Sequence, residues 1–150
     1  GVGGADGLGT VAARWAAAAV ADGTVAADSA LASIPGADLD GRAVLELAAQ
    51  GDDDARAIAV RVGAMLARVV SVLGSMFDPQ RVVVSGAISD GVDEVVAAAR
   101  RSLPTDLDLP APELVVSQLG ADVVVTGAIA AAAAAARENA LDIWMTRRVG

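Results

Sequence analysis

Asp52, Asp53 and Asp54 put three carboxylates side by side, the raw material of a cation site. The same pattern also opens helices. An acid at the cap accepts hydrogen bonds from the free N–H groups of the first turn, and acids just inside meet the positive end of the helix dipole. The apolar periodicity that follows favours the helix start. Asp106 and Asp108 lie in a proline-flanked stretch and read as solvated. Arg100-Arg101 and Arg147-Arg148 are pairs, too short for a phosphate track, and the first pair closes a helix where cations are favoured. Trp15 and Trp144 read as packing residues rather than a sugar platform. The chain has no histidine to activate a serine or threonine, and no cysteine, so no nucleophile, base and orienting group can be assembled. The same absences remove disulfides, thiolate metal sites and the commonest metal ligand.

The elements that must position these residues follow from spacing. Residues 1–9 form a glycine-rich loop and residues 10–77 a helical section. Thr10 caps an alanine-rich helix running to Val20. Residues 23–38 are loop, punctuated by Ile34-Pro35-Gly36. Asp40 caps a short helix, 42–49, that stops at Gly51. Asp52 then caps a helix reaching Phe77, on the order of 39 Å long. Along it Ile58, Val62, Met65, Leu66, Val69, Leu73 and Met76 recur every three or four residues and predict one apolar face. Gly63 and Gly74 share a face about three turns apart. Glycine inside a helix is costly unless something packs close to it, so a tight neighbour is expected there.

Residues 78–140 read as strand, helix, strand, helix. Asp78-Pro79 ends the long helix, because the residue before proline is pushed out of the helical region. Arg81 to Ser85 is a short apolar strand of the kind found in parallel sheets. Gly86 to Ser89 turns the chain, Asp90 caps a helix over 92–101, and residues 104–112 are linker. Glu113 to Ser117 is a second strand. Val123-Val-Val-Thr126 is β-branched, yet it runs straight into the alanines of a helix that extends to about Ala140, and we assign it to that helix. Residues 141–150 are a tail.

One domain accommodates all 150 residues. Its eleven basic residues are all arginine, and its net charge is -8. Nucleic-acid binding draws on cations that neutralise phosphates, so this segment is not expected to bind DNA or RNA. The hydrophobic share is 55%, but charged residues break each apolar run before the roughly 20 residues a spanning helix needs. Residues 123–136 come nearest. The start lacks the basic region of a signal peptide. A cytoplasmic domain without membrane contact is the expectation.

Two stretches carry a family resemblance. Leu73-Gly-Ser-Met-Phe-Asp-Pro-Gln-Arg-Val-Val-Val-Ser-Gly-Ala-Ile-Ser89 is similar to the ROK pattern N-L-x-D-P-x-x-I-V-L-G-G-G-V-S, and Ser117-Gln-Leu-Gly-Ala-Asp-Val-Val-Val-Thr-Gly-Ala128 resembles that family's A-x-L-G-D-D-A-G-L-I-G-A-A. ROK proteins are sugar kinases and sugar-responsive transcriptional repressors. The resemblance implies an α/β fold: the C-terminal portion of an actin-like ATPase (ribonuclease H-like) domain, helix-rich with a short, partly parallel sheet.

Read through that resemblance, Ser85, Gly86 and Ala87 occupy the family's nucleotide-binding glycine turn, where close backbone approach and a following helix start receive the nucleotide. One glycine of three remains. The family's G-C-x-E-A-x-x-S-G falls on Gly1 to Gly9, with Val2 in place of a zinc-binding cysteine and Gly4 in place of a sugar-binding glutamate. Valine offers zinc no lone pair and glycine offers a sugar no side chain. Asp6-Gly-Leu-Gly-Thr10 has the letters of the family's phosphate hairpin, Asp-x-Gly-x-Thr, but Leu8 stands where its glycine belongs and no strand flanks it. The expectation is therefore a catalytically inactive segment of a sugar-responsive regulator, with no zinc and no cofactor of its own. The alternative is the C-terminal piece of an ATP-dependent sugar kinase, with ATP and magnesium bound only in that case. Two strands leave open edges and an uncovered apolar face. A homodimer, or pairing with the missing N-terminal part of the fold, is expected to cover them, with the Gly63/Gly74 helix as a candidate interface.

Overall fold

In the computed structural model, residues 7–85, 91–104, 111–119 and 122–149 are described. The centre is α3 (Asp53–Phe77), whose start is the one the acids predicted. The Asp52 carboxylate accepts from the Ala55 N–H at 2.9 Å, and Asp53 and Asp54 sit in the first turn. The helix stops at Asp78, which adopts a left-handed conformation (φ 43°) and donates its N–H to the Gly74 carbonyl.

The buried face of α3 differs from the expected one. Ile58, Val62 and Leu66 are buried as expected, but Val69 and Met76 are exposed and Val70 is buried instead. The reason lies in Ala55, Ala59, Gly63 and Ala67, spaced four apart, which form a shallow row facing inward. Small side chains let a neighbouring helix come closest along that row, and this rotates the core stripe away from the larger residues. The neighbour is α4 (Val92–Ser102).

Two shorter helices complete the helical section. In α1 (Leu8–Ala21) the first turn forms three residues before the expected start, and Val11 already donates to the Gly7 carbonyl at 3.1 Å. Thr10 therefore lies inside the helix, and the cap position is Gly7, which has no side chain to offer. Asp40 does cap α2 (Gly41–Gln50), accepting from Ala43 N–H at 2.8 Å, and Gly51 ends it in the left-handed region. The intervening loop holds one short 3-10 turn, Ala30–Ser33.

β1 (Arg81–Val84) and β2 (Glu113–Val116) pair in parallel, with Arg81 opposite Glu113 and Val84 opposite Val116. Parallel strands need a crossover, and α4 supplies it. Leu114 faces the core, whereas Val83 is 59% exposed. The Arg100 guanidinium donates to the Leu114 carbonyl at 2.7 Å and ties the end of α4 to β2. The cap of α4 is Gly91 (φ 81°), with no side-chain bond; Asp90, expected to cap it, lies outside the described residues.

α5 (Val123–Val149) confirms the helical assignment of Val123 to Thr126. It also continues through the expected tail, because neither glycine nor proline interrupts residues 128–149. Its residues 124–137 are exposed.

The expectation that charged residues break every apolar run before spanning length needs correcting for α3. That helix is long and apolar enough to cross a membrane by length and composition. Its inward face is nevertheless packed against α1, α2 and α4, as in a core helix.

Candidate functional site

The acidic cluster is structural. Asp52 caps α3 and also accepts from the Ser29 hydroxyl (2.9 Å) and the Ala30 N–H (2.8 Å), pinning the 3-10 turn to the start of the long helix. Burial pushes its pKa up. The hydrogen bonds from Ala55, Ser29, Ala30 and Leu31 outweigh that and hold the carboxyl below its ordinary value. Asp54 accepts from the Ala26 N–H at 2.9 Å. Among the described residues no three acidic side chains gather as a metal site would require.

The phosphate-hairpin letters are not a hairpin: Leu8, Gly9 and Thr10 form the opening turn of α1. Trp15 packs, with the Arg61 guanidinium 4.1 Å above its ring. Between α1 and α3 lies an open hollow of about 200 Å³ lined by Thr24, Asp54 and Arg61 among others. Each of these three already has a partner, since the Thr24 hydroxyl donates to the Ala19 carbonyl. Arg101 lies 4.0 Å from Glu94 on the surface of α4. Asp106, Asp108 and the side chains of Trp144, Arg147 and Arg148 lie outside the described residues.

Of the resemblance-derived positions, Ser85 is described and exposed, directly after the last residue of β1. Gly86, Ala87, Val2 and Gly4 lie outside the described residues. What is visible is how the helices that follow them in the chain begin. Both α1 and α4 begin against α2. The backbone of Gly9 lies against Gly41 so closely that a Cβ on Gly41 would collide with it, and the same holds for Gly91 and the Leu45 carbonyl. Spacing alone did not single out these contacts. The glycines at helix starts, Gly41 and Gly91, were the available signal.

The Gly63 expectation is met within the chain. A Cβ on Gly63 would fall 2.6 Å from the Ala98 Cβ, and one on Gly74 would fall 3.3 Å from the Pro112 ring. Both glycines serve contacts inside the molecule.

Residues 12–136 match the ROK family. The chain belongs to that family. No curated protein matches it. Among solved structures, this ROK chain is similar to a protein from Cytophaga hutchinsonii assigned as a sugar kinase. The TM-score is 0.61 and the identity 23%, covering 74% of this chain and 37% of the other. At that identity the likeness speaks for the fold alone. The ROK chain described here corresponds to little more than a third of that protein's length.

Proposed function

We propose that this ROK chain is the C-terminal part of a sugar-responsive transcriptional regulator, built on the corresponding part of an actin-like ATPase fold. It takes part in effector binding and assembly and has neither catalysis nor a DNA-binding motif of its own. The observation that carries this reading is the joint loss of chemistry at the positions the motif resemblance assigns: Val2 for the zinc-binding cysteine, Gly4 for the sugar-binding glutamate, and Ser85 and Ala87 for two of three glycines. A kinase needs those groups, whereas a regulator can respond to a sugar or sugar phosphate without transferring a phosphoryl group. Ser85 is the first of the three turn positions and lies exposed directly after β1.

In this reading the chain is cytoplasmic, holds no zinc and binds no nucleic acid through this segment. Its open strand edges are covered by a second copy or by the N-terminal part of the same fold. The kinase reading draws support from the sugar-kinase assignment of the similar structure. Titration calorimetry of ATP against the complete polypeptide decides between them. The regulator reading expects no saturable heat with or without magnesium, and tight magnesium-dependent binding overturns it. The upstream reading frame is a second discriminator: a winged helix supports the regulator, an intact Asp-x-Gly-x-Thr hairpin the kinase.

A further inference from the structure

Helices α1 and α4 are far apart in sequence, yet both begin against a single turn of α2. Gly9, the second residue of α1, abuts Gly41, and Gly91, the cap of α4, abuts the carbonyl of Leu45. Gly41 and Leu45 are four residues apart, so the two contacts are stacked about 6 Å apart along α2. The first is backbone against backbone, and the second sets Gly91 against the backbone carbonyl and Cβ of Leu45, so neither has a flexible side-chain end to absorb a displacement. α2 is itself fixed at both ends, by the Asp40 cap and by the left-handed Gly51. Packed interiors transmit small shifts instead of damping them.

We propose that the N-terminal part of α2 is a mechanical relay between the start of α1 and the start of α4. A shift imposed at either helix start moves the other through Gly41 and Leu45. Gly9, Gly41, Leu45 and Gly91 act as positioning residues. The relay goes beyond the proposed function and does not depend on it.

The test is amide hydrogen exchange on the full chain, comparing the unmodified protein with Gly41→Ala. The added methyl group pushes against Gly9, on the α1 side. Exchange is expected to rise about tenfold or more at Val11 and also at Val95 in α4, with Val62 in α3 unchanged. Gly36→Ala, where nothing lies within 4 Å, should change neither. A rise confined to α1 and α2, or spread equally over α3, overturns the relay. Should Gly41→Ala fail to fold, the unmodified chain in increasing denaturant serves. Val11 and Val95 should then share one opening that precedes that of Val62, and separate openings, or none short of global unfolding, overturn the proposal.

Discussion

Gly63 lies so close to Ala98 that a methyl group on it would sit 2.6 Å from the Ala98 Cβ, and equally near the Val95 carbonyl oxygen. This contact decides where the core stripe of α3 falls and how close α4 can come.

Gly63→Ala should therefore destabilise the chain, although alanine is the better helix former by about 1 kcal/mol. Overpacking of this kind costs roughly 1–3 kcal/mol, and the urea midpoint should fall accordingly. Gly127→Ala is the counterpart. Nothing lies within 4 Å of Gly127 in α5, so the same change should raise helix stability by about 0.5–1 kcal/mol, read from helical circular dichroism on heating. A stabilising Gly63→Ala would mean that α4 is not held against this row.

Asp52 predicts an acid-sensitive term. Its folded pKa is lowered from the ordinary value near 3.8. Its ionised form therefore favours the folded chain above that pH, and the benefit is lost as pH falls through the folded value. Asp52→Ala should cost about 1–3 kcal/mol at neutral pH, by removing a cap and stranding the Ser29 and Ala30 donors. Asp52→Asn should cost less, and the gap between it and the parent should close below about pH 4. Denaturant melts at pH 7, 5 and 3 check the sign. A gap that widens in acid would contradict the assignment.

Arg100 joins α4 to β2 through the Leu114 carbonyl. Replacing it with methionine keeps the stem but removes a charged hydrogen bond, a loss of about 1.5–3 kcal/mol. The adjacent Arg101→Ala removes only an exposed, 4.0 Å pairing with Glu94, which should change stability by less than about 1 kcal/mol. Equal effects from the two would show that the guanidinium bond contributes nothing specific.

Met76 and Phe77 at the end of α3 are 67% and 68% exposed. If the proposed association covers them, Met76→Glu with Phe77→Ser should shift sedimentation toward monomer and leave the fold intact. A sedimentation profile unchanged by the pair would place the contact elsewhere.

Much of the fold was legible because some signals are local. Asp40 and Asp52 cap through N–H groups three residues away, and Asp78-Pro79 stops a helix by its own sterics, so each of these could be read without knowing the neighbours. Thr10 misled because Gly7 can enter a helix without a side-chain cap, and the first turn formed upstream. The α3 stripe misled for a different reason. Counting large residues favours Val69, but α4 approaches along the alanines and Gly63, a choice made by a distant segment. The family was legible in the Asp-Pro, valine-strand and glycine-turn order. The anchoring of two helix starts on α2 was not, because Gly9 meets Gly41, and Gly91 meets Leu45, across more than thirty residues of chain in each case.

The solvent-facing alanines of α5 have one more implication. Residues 124–137 are exposed, and a helical stretch without packing melts and re-forms easily, since isolated helices are marginal even when alanine-rich. Backbone amides in that stretch should therefore exchange with solvent well before those on the buried face of α3.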